Sequence, residues 1–241
     1  MPAIRDAHCH IFSLEQIKTI RRSGVGLFVV NATQPSEWGP VAELVKNCCR
    51  VHGAVGVHPW RVSNGIGLPD WDVGLVCFLE RHPELTVGEI GLDKNYPYLE
   101  DQESAFRRQL QIAHDMKRVA HIHCVGCWGK MMEILRAVDL PPAMIFHAFS
   151  GPAELVPELV KMGGYFSFGR AVCDNRRAKL QSAVRAVPNR RILVESDASF
   201  VDDYEALEST IQTIADIRND YYGEIVELSC NIEEVLDGGK I

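Results

Sequence analysis

The sequence predicts an α/β fold of the (β/α)8 TIM-barrel type, formed by residues 1–241 as a single domain. Short apolar or β-branched runs recur eight times at intervals of about 15 to 35 residues, and amphipathic stretches separate them. The length of 241 residues lies in the range in which α/β barrels form one domain. Repeated strand-then-helix order requires a parallel sheet with right-handed crossovers, and eight such strands close well around a packed interior.

The eight predicted strands are short runs bounded by turn-forming residues, as expected for strands that helices cover on one side. They cover residues 4–12, 25–33, 51–59, 85–93, 119–124, 143–149, 165–169 and 192–197. An open doubly wound sheet is the alternative arrangement of such strands. It is disfavoured because no GxGxxG motif opens the first helix and no GxxxxGK[ST] motif occurs.

The predicted helices are the amphipathic stretches between these strands. They cover residues 14–22, 36–46, 71–81, 101–116, 128–138, 153–162, 176–186 and 203–218. Gly24 and Gly163 stand where helices end, and Pro35 and Pro152 stand at first-turn positions, where a missing N–H costs little. A last apolar-patterned segment, residues 222–236, predicts one further helix that closes the outer layer.

Composition excludes several classes of protein. Hydrophobic residues make up 46% of the chain and charged residues 24%, which disfavours disorder and fibrous repeats. The net charge of −7 is opposite to the electrostatic footprint of most nucleic-acid binders, so a polyanionic substrate must be neutralised locally. No apolar run is long enough to span a membrane and the N-terminus lacks a signal-peptide pattern, so we expect a soluble, cytoplasmic protein with reduced cysteines and no membrane partner.

Histidines and carboxylates stand at the carboxyl ends of the predicted strands, where barrel enzymes place their chemistry. Asp6, His8 and His10 alternate along the first strand, so a period of two predicts that all three side chains share one face. Four further strands end in a side chain that can bind metal: Glu89, His123, His147 and Asp197. Buried together without a cation these groups would be poorly satisfied, so their convergence predicts a metal site.

The mixture of ligands indicates the chemistry. Imidazoles suit Zn²⁺ and carboxylates suit Mg²⁺ or Mn²⁺, and a shared carboxylate can bridge two ions. We expect two divalent ions bridged by Glu89, because its strand lies between those of the other ligands. The two cations would lower the pKa of a bridging water, and Asp197 could ligate one ion and act as catalytic acid/base.

The motifs resemble those of the TatD-like metal-dependent hydrolases, a branch of the amidohydrolase superfamily with distorted (β/α)8 barrels. The sequence shows them in the family's order: DAHCH at 6–10, GVHP at 56–59, GEIGLD at 88–93, the His123 strand, HAFSG at 147–151 and ESD at 195–197. The resemblance implies that His8, His10, Glu89 and Asp197 bind one metal and that Glu89, His123 and His147 bind the second. It implies divalent-metal hydrolysis, commonly of DNA phosphodiesters and often from the 3′ end.

The resemblance also implies supporting residues. His58 corresponds to a family histidine beside the site, and Asp93 and Glu195 stand where a carboxylate could orient a ligand from behind. Arg170 follows the seventh predicted strand and is a candidate contact for a substrate phosphate. Cys124 and Cys127 form a CxxC spacing, but without a second CxxC or a thioredoxin-like context a metal or redox role is disfavoured.

Departures from the family pattern leave the substrate open. Val125 stands where the family usually has an arginine two residues after the histidine, and the segment after Asp197 lacks the usual proline-containing loop. The family resemblance makes a two-metal phosphodiesterase acting on DNA the main hypothesis. The alternatives are a metallohydrolase of a small ester, amide or phosphate monoester and, less favoured, a metal-stabilised scaffold without activity. Nothing in the sequence indicates an obligate protein partner.

Overall fold

In the part of the chain that the structure describes, eight parallel strands form a single sheet in which neighbours follow one another in chain order. A computed structural model describes residues 2–20, 24–62, 70–200 and 205–237. The strands are β1 Ile4–Cys9, β2 Val25–Asn31, β3 Val51–Val55, β4 Thr86–Asp93, β5 Ala120–Val125, β6 Met144–Phe146, β7 Gly164–Phe168 and β8 Ile192–Val194. This arrangement confirms the predicted barrel, since each predicted strand overlaps an observed one; β5 extends one residue beyond its predicted end, and β7 begins one residue before its predicted start.

The barrel closes between β1 and the segment that follows β8. The backbone N–H of Asp197 donates to the carbonyl of His8 at 3.0 Å, and the N–H of His10 donates to the carbonyl of Ala198 at 2.7 Å. These bonds join the last strand to the first where an open sheet would leave an edge. They also fix the backbone on both sides of Asp197.

Ten described helices surround the strands. They are α1 Leu14–Ile20, α2 Pro35–Asn47, α3 Trp71–Arg81, α4 Leu99–Asp115, α5 Trp128–Arg136, α6 Val156–Lys161, α7 Ala178–Ala186, α8 Glu205–Arg218, α9 Tyr222–Leu228 and α10 Asn231–Leu236. The predicted ends at 21–22 and 203–204 lie outside the described residues. Among the described helices none is long and apolar enough to cross a membrane.

Two predicted helices are interrupted. The stretch 153–162 begins as a short 3₁₀ turn and becomes α6 only at Val156, because Pro157 has no N–H to bond to the carbonyl of Ala153. The stretch 222–236 is two helices, α9 and α10, so the prediction of one helix was wrong. Between them the Ser229 hydroxyl donates to the Val226 carbonyl at 2.6 Å and accepts the N–H of Arg5 at 3.1 Å. Such side-chain bonds to the backbone compete with the hydrogen bonds of a continuous helix.

Close approach of β4 and β5 positions the centre of the site. Gly91 has a φ of +149°, and a Cβ there would lie 1.9 Å from the carbonyl oxygen of His123. The two strands can therefore approach only with glycine at this position. This explains in physical terms why the GEIGLD segment needs its second glycine, since β4 carries Glu89 and β5 carries His123.

Candidate active site

The Glu89 carboxylate lies at the centre of a buried cluster at the carboxyl end of the barrel. Its Oε1 is 2.8 Å from His123 Nδ1, 2.9 Å from His147 Nε2 and 3.1 Å from His58 Nε2. These side chains come from β4, β5 and the segments after β6 and β3. The sequence placed His58 beside the ligands, whereas the structure brings it as close to Glu89 as the predicted ligands.

The second oxygen of Glu89 faces β1 and the segment after β8. Oε2 is 3.3 Å from His8 Nε2 and 3.4 Å from His10 Nε2. Asp197 Oδ1 lies 3.9 Å from His8 Nε2 and 3.6 Å from His10 Nε2, and its side chain is 48% exposed. The six predicted ligands therefore lie in one cluster, with Asp197 on its open side.

Among the residues that the structure describes, three groups of side chains have donor atoms close enough to share one divalent ion. They are His8 with Glu89 and His147, His8 with His10 and Asp197, and His58 with Glu89 and His123. The donor chemistry fits a metal, because imidazole nitrogens from different residues converge on one point; His8 Nε2 and His10 Nε2 are 3.2 Å apart. Two of the groups share Glu89, as a bridging carboxylate would require.

Burial and mutual contacts set the protonation of the cluster. Burial opposes ionisation of Glu89, but the imidazoles of His58, His147 and His8 hold its pKa well below the usual range. Burial, together with His147, lowers the pKa of His8, which leaves its imidazole neutral and able to bind metal. Burial also opposes the charge on His147, yet Glu89 and Glu195 raise its pKa well above normal. Metal binding at His147 would therefore release a proton.

Residues behind the histidines hold their rings. Asp93 Oδ2 is 3.2 Å from His123 Nε2 and accepts the Trp60 indole N–H at 2.8 Å. Burial would raise the pKa of Asp93, but these hydrogen bonds hold it at about 2. Sequence reasoning did not select Trp60, although it directly follows the GVHP motif. Carboxylate support of this kind orients a ligand and increases its basicity.

Glu195 supports the opposite side of the cluster. It is fully buried; its Oε1 lies 3.5 Å from His147 Nδ1 and accepts the N–H of Ala148 at 2.8 Å. Its Oε2 accepts the Ser167 hydroxyl. His10 Nδ1 lies 2.8 Å from the Asn31 carbonyl, so the N–H of the ring points at the backbone and its Nε2 faces the cluster. A backbone carbonyl in this role has no side-chain signal in the sequence.

Asp6 does not follow the predicted alternation with His8 and His10. Asp6 is in register with Phe28 and Cys9 with Val30, so β1 carries one extra residue between these points and the two-residue period breaks. The Asp6 carboxylate instead accepts the N–H of Ser196 at 2.9 Å and its hydroxyl at 2.7 Å. Asp6 therefore holds the segment that carries Asp197.

Two backbone positions at the site are unusual for residues with side chains. Asp197 has a φ of +53° and Ala148, directly after His147, has a φ of +42°. Residues other than glycine occupy this left-handed region at a cost, and such positions concentrate at functional sites. Asp and Asn tolerate it best, which suits the residue that projects toward the open side.

Arg170 lies apart from the cluster but lines a cavity that reaches it. The cavity has a volume of about 290 Å³ and is bounded by the ends of β6, β7 and β8, with Arg170, Arg177 and Asp197 in its wall. A guanidinium at this position can contact a phosphate near Asp197.

Cys124 and Cys127 are free thiols, and burial raises the pKa of both, which agrees with the prediction against a reactive CxxC pair.

Fold and site together define a (β/α)8-barrel hydrolase of the metal-dependent class. The family described as TatD related DNase matches residues 5–236, and the chain belongs to this family. This confirms the predicted family and enzyme class. The chain is 30% identical over 207 residues to the "uncharacterized metal-dependent hydrolase YjjV" of Escherichia coli K12, covering 80% of this chain and 78% of that protein.

Two further similarities agree. The chain is 29% identical over 187 residues to the "3'-5' ssDNA/RNA exonuclease TatD" of Escherichia coli K12, covering 74% of this chain and 70% of that protein. The crystal structure of YjjV, a TatD homologue from Escherichia coli K12, superimposes with a TM-score of 0.85 at 25% identity over 97% of both chains. A hydrolase of the TatD family from Entamoeba histolytica has the same fold, with a TM-score of 0.79 at 12% identity over 97% of both chains.

Replacing Asp93 by asparagine tests the support behind His123. We expect the affinity for an added divalent metal to fall by about 10- to 100-fold. The Asp93 carboxylate contacts both His123 and Trp60 through Oδ2, and a neutral amide is a weaker hydrogen-bond acceptor than this carboxylate. Isothermal titration calorimetry with the metal measures this change in affinity. Asp72→Asn, which alters an exposed ion pair with Arg108, is the matched control and should leave metal affinity unaltered. Equal affinity in Asp93→Asn and the parent protein would contradict the supporting role.

Proposed function

We propose that this chain is a two-metal phosphodiesterase that shortens single-stranded DNA, most often from the 3′ end. The observation that supports it most is the Glu89 carboxylate, whose two oxygens face two different sets of imidazoles. This is the arrangement that a bridging carboxylate needs. The named exonuclease among the relatives supports the choice of substrate.

In this proposal His8, His10 and Asp197 would hold one metal, His123 and His147 would hold the second, and Glu89 would be available to both. His58 lies close enough to Glu89 and His123 to join the second group. Bound divalent metal would supply Lewis-acid stabilisation of a phosphate and would lower the pKa of a water molecule toward neutrality. The ions are Mg²⁺, Mn²⁺ or Zn²⁺, which the mixed imidazole and carboxylate donors allow.

The protein's own groups supply positioning and proton transfer. Asp197 Oδ1 lies on the open side of the cluster, where it can accept the proton of the attacking water and later return one to the leaving oxygen. Glu195 and Asp93 keep the rings of His147 and His123 in place. Arg170, in the wall of the adjoining cavity, contacts a neighbouring phosphate. The net charge of −7 is compatible with this substrate because the cations supply positive charge locally.

A second candidate is a hydrolase of a small phosphoester. The favouring observation is the cavity beside Asp197, whose volume of about 290 Å³ is at the lower end of small-molecule sites. Val125, in place of the family's usual arginine, removes one phosphate contact expected of a nuclease.

We also propose that residues 1–241 form one domain. The cytoplasmic location predicted from the sequence stays a prediction.

Hydrolysis assays separate the two candidates. We expect metal-stripped protein to be inactive and to shorten a 5′-labelled single-stranded DNA progressively from its 3′ end once Mg²⁺, Mn²⁺ or Zn²⁺ is restored, since the donor set cannot activate water alone. The same protein is assayed on bis(p-nitrophenyl) phosphate. Turnover of the small diester without DNA shortening would favour the second candidate, and no turnover of either with any metal would contradict both.

A further inference from the structure

An exposed pair of aromatic side chains lies beside the cluster. The Trp60 and Tyr96 rings stack with centroids 5.3 Å apart and planes 27° from parallel, and the residues are 47% and 40% exposed. We call these two side chains the aromatic platform. Large aromatic residues usually bury most of their surface, so two that remain open to solvent side by side indicate a binding surface.

The platform is held in place by the site itself. The Trp60 indole N–H donates to Asp93 Oδ2 at 2.8 Å, and the Trp60 backbone N–H donates to His58 Nδ1 at 3.1 Å. The Trp60 ring centroid lies 4.4 Å from that of His58 and 6.0 Å from that of His123. The Tyr96 N–H donates to the Asp93 carbonyl at 3.2 Å. These contacts order the rings before any ligand binds, which reduces the entropy cost of stacking.

We propose that the aromatic platform stacks a nucleobase of the single-stranded substrate whose phosphate is bound at the Glu89 cluster, an inference that rests on the proposed function. A planar π surface takes a base of any identity, because every base has a π face. A base is favoured over a peptide or another protein because the platform adjoins His58 and His123, so a nucleotide next to the bound phosphate reaches it. The site predicts little sequence preference and acceptance of DNA and RNA alike.

Binding to base-bearing and abasic oligonucleotides tests the platform. The protein carries Asp197→Asn to prevent cleavage, Mn²⁺ is present, and fluorescence anisotropy follows a labelled oligothymidylate or an abasic oligonucleotide of equal length. We expect the base-bearing strand to bind between roughly 5- and 150-fold more tightly, from about 1–3 kcal/mol per stacked base. Adding Tyr96→Ala should bring this ratio close to one, whereas Tyr96→Phe, which keeps the ring, should retain it.

Tyr221→Ala is the matched control, since Tyr221 is an aromatic residue that is 80% exposed and lies between α8 and α9. It should leave the ratio as it is in the parent. Three outcomes would overturn the proposal that the aromatic platform stacks a base. They are equal binding of the two strands, equal weakening of both by Tyr96→Ala, and no binding of either strand. Cleavage assays judge the nuclease separately: base-dependent binding without cleavage in the unsubstituted protein would keep the platform and reject the proposed reaction.

Discussion

Replacing Asp197 by asparagine is expected to lower kcat for phosphodiester hydrolysis by about 10²- to 10⁴-fold, the contribution typical of a general acid/base. Asparagine keeps the shape of the side chain and tolerates the φ of +53° at this position, so the backbone should stay in place. It cannot accept the proton of the attacking water. Steady-state kinetics with saturating Mn²⁺ measures the loss.

The expected pattern separates catalysis from folding. The thermal unfolding midpoint should stay close to that of the parent protein, since the side chain is 48% exposed and makes its contacts through one oxygen. Asp174→Asn is the matched control, because Asp174 is also a partly exposed carboxylate but pairs with Arg176. An Asp197→Asn protein that retained more than about a tenth of parental kcat would contradict the assigned role.

Replacing Glu89 by glutamine is expected to have the largest effect on metal content. The carboxylate is 2% exposed and lies within 3.4 Å of nitrogens from five histidines. An amide has one acceptor oxygen and cannot bridge two cations. Bound metal should fall from two ions per chain to one or none, and kcat/KM should fall by at least about 10³-fold, as losing several kcal/mol of metal stabilisation implies.

Metal analysis after dialysis and the metal-dependent rise in unfolding temperature measure this loss, since a ligand that binds the folded state stabilises it by mass action. Glu195→Gln is the matched control: a buried carboxylate that touches one histidine of the cluster, with an expected loss of only about 10- to 100-fold. Two ions retained in Glu89→Gln would show that the carboxylate does not bridge them.

Much of the barrel and cluster follows from local sequence patterns. His123 and His147 stand near the carboxyl ends of predicted strands and Glu89 lies within the fourth, and parallel strands that run side by side bring such residues to one rim. Simple alternation within a strand is less dependable. It failed at Asp6 because β1 carries an extra residue, and no composition signal marks that irregularity.

Contacts between distant segments could not be predicted from one sequence. Trp60 reaches Asp93 across 33 positions, and Asn31 contributes only its carbonyl to His10, so neither has a motif of its own. The break between α9 and α10 likewise lies at Ser229, whose hydroxyl accepts the N–H of Arg5 across 224 positions. Such features depend on the tertiary arrangement, which overrides local propensity.

The most direct test of the two-metal centre is an anomalous difference map from crystals grown with Mn²⁺ or Zn²⁺ and measured at the absorption edge of that metal. We predict two peaks about 3.5–4 Å apart, one on each side of the Glu89 carboxylate. The first should contact His8 and His10, and the second His123 and His147. A single peak, or two peaks with Glu89 turned away from both, would contradict the bridged centre.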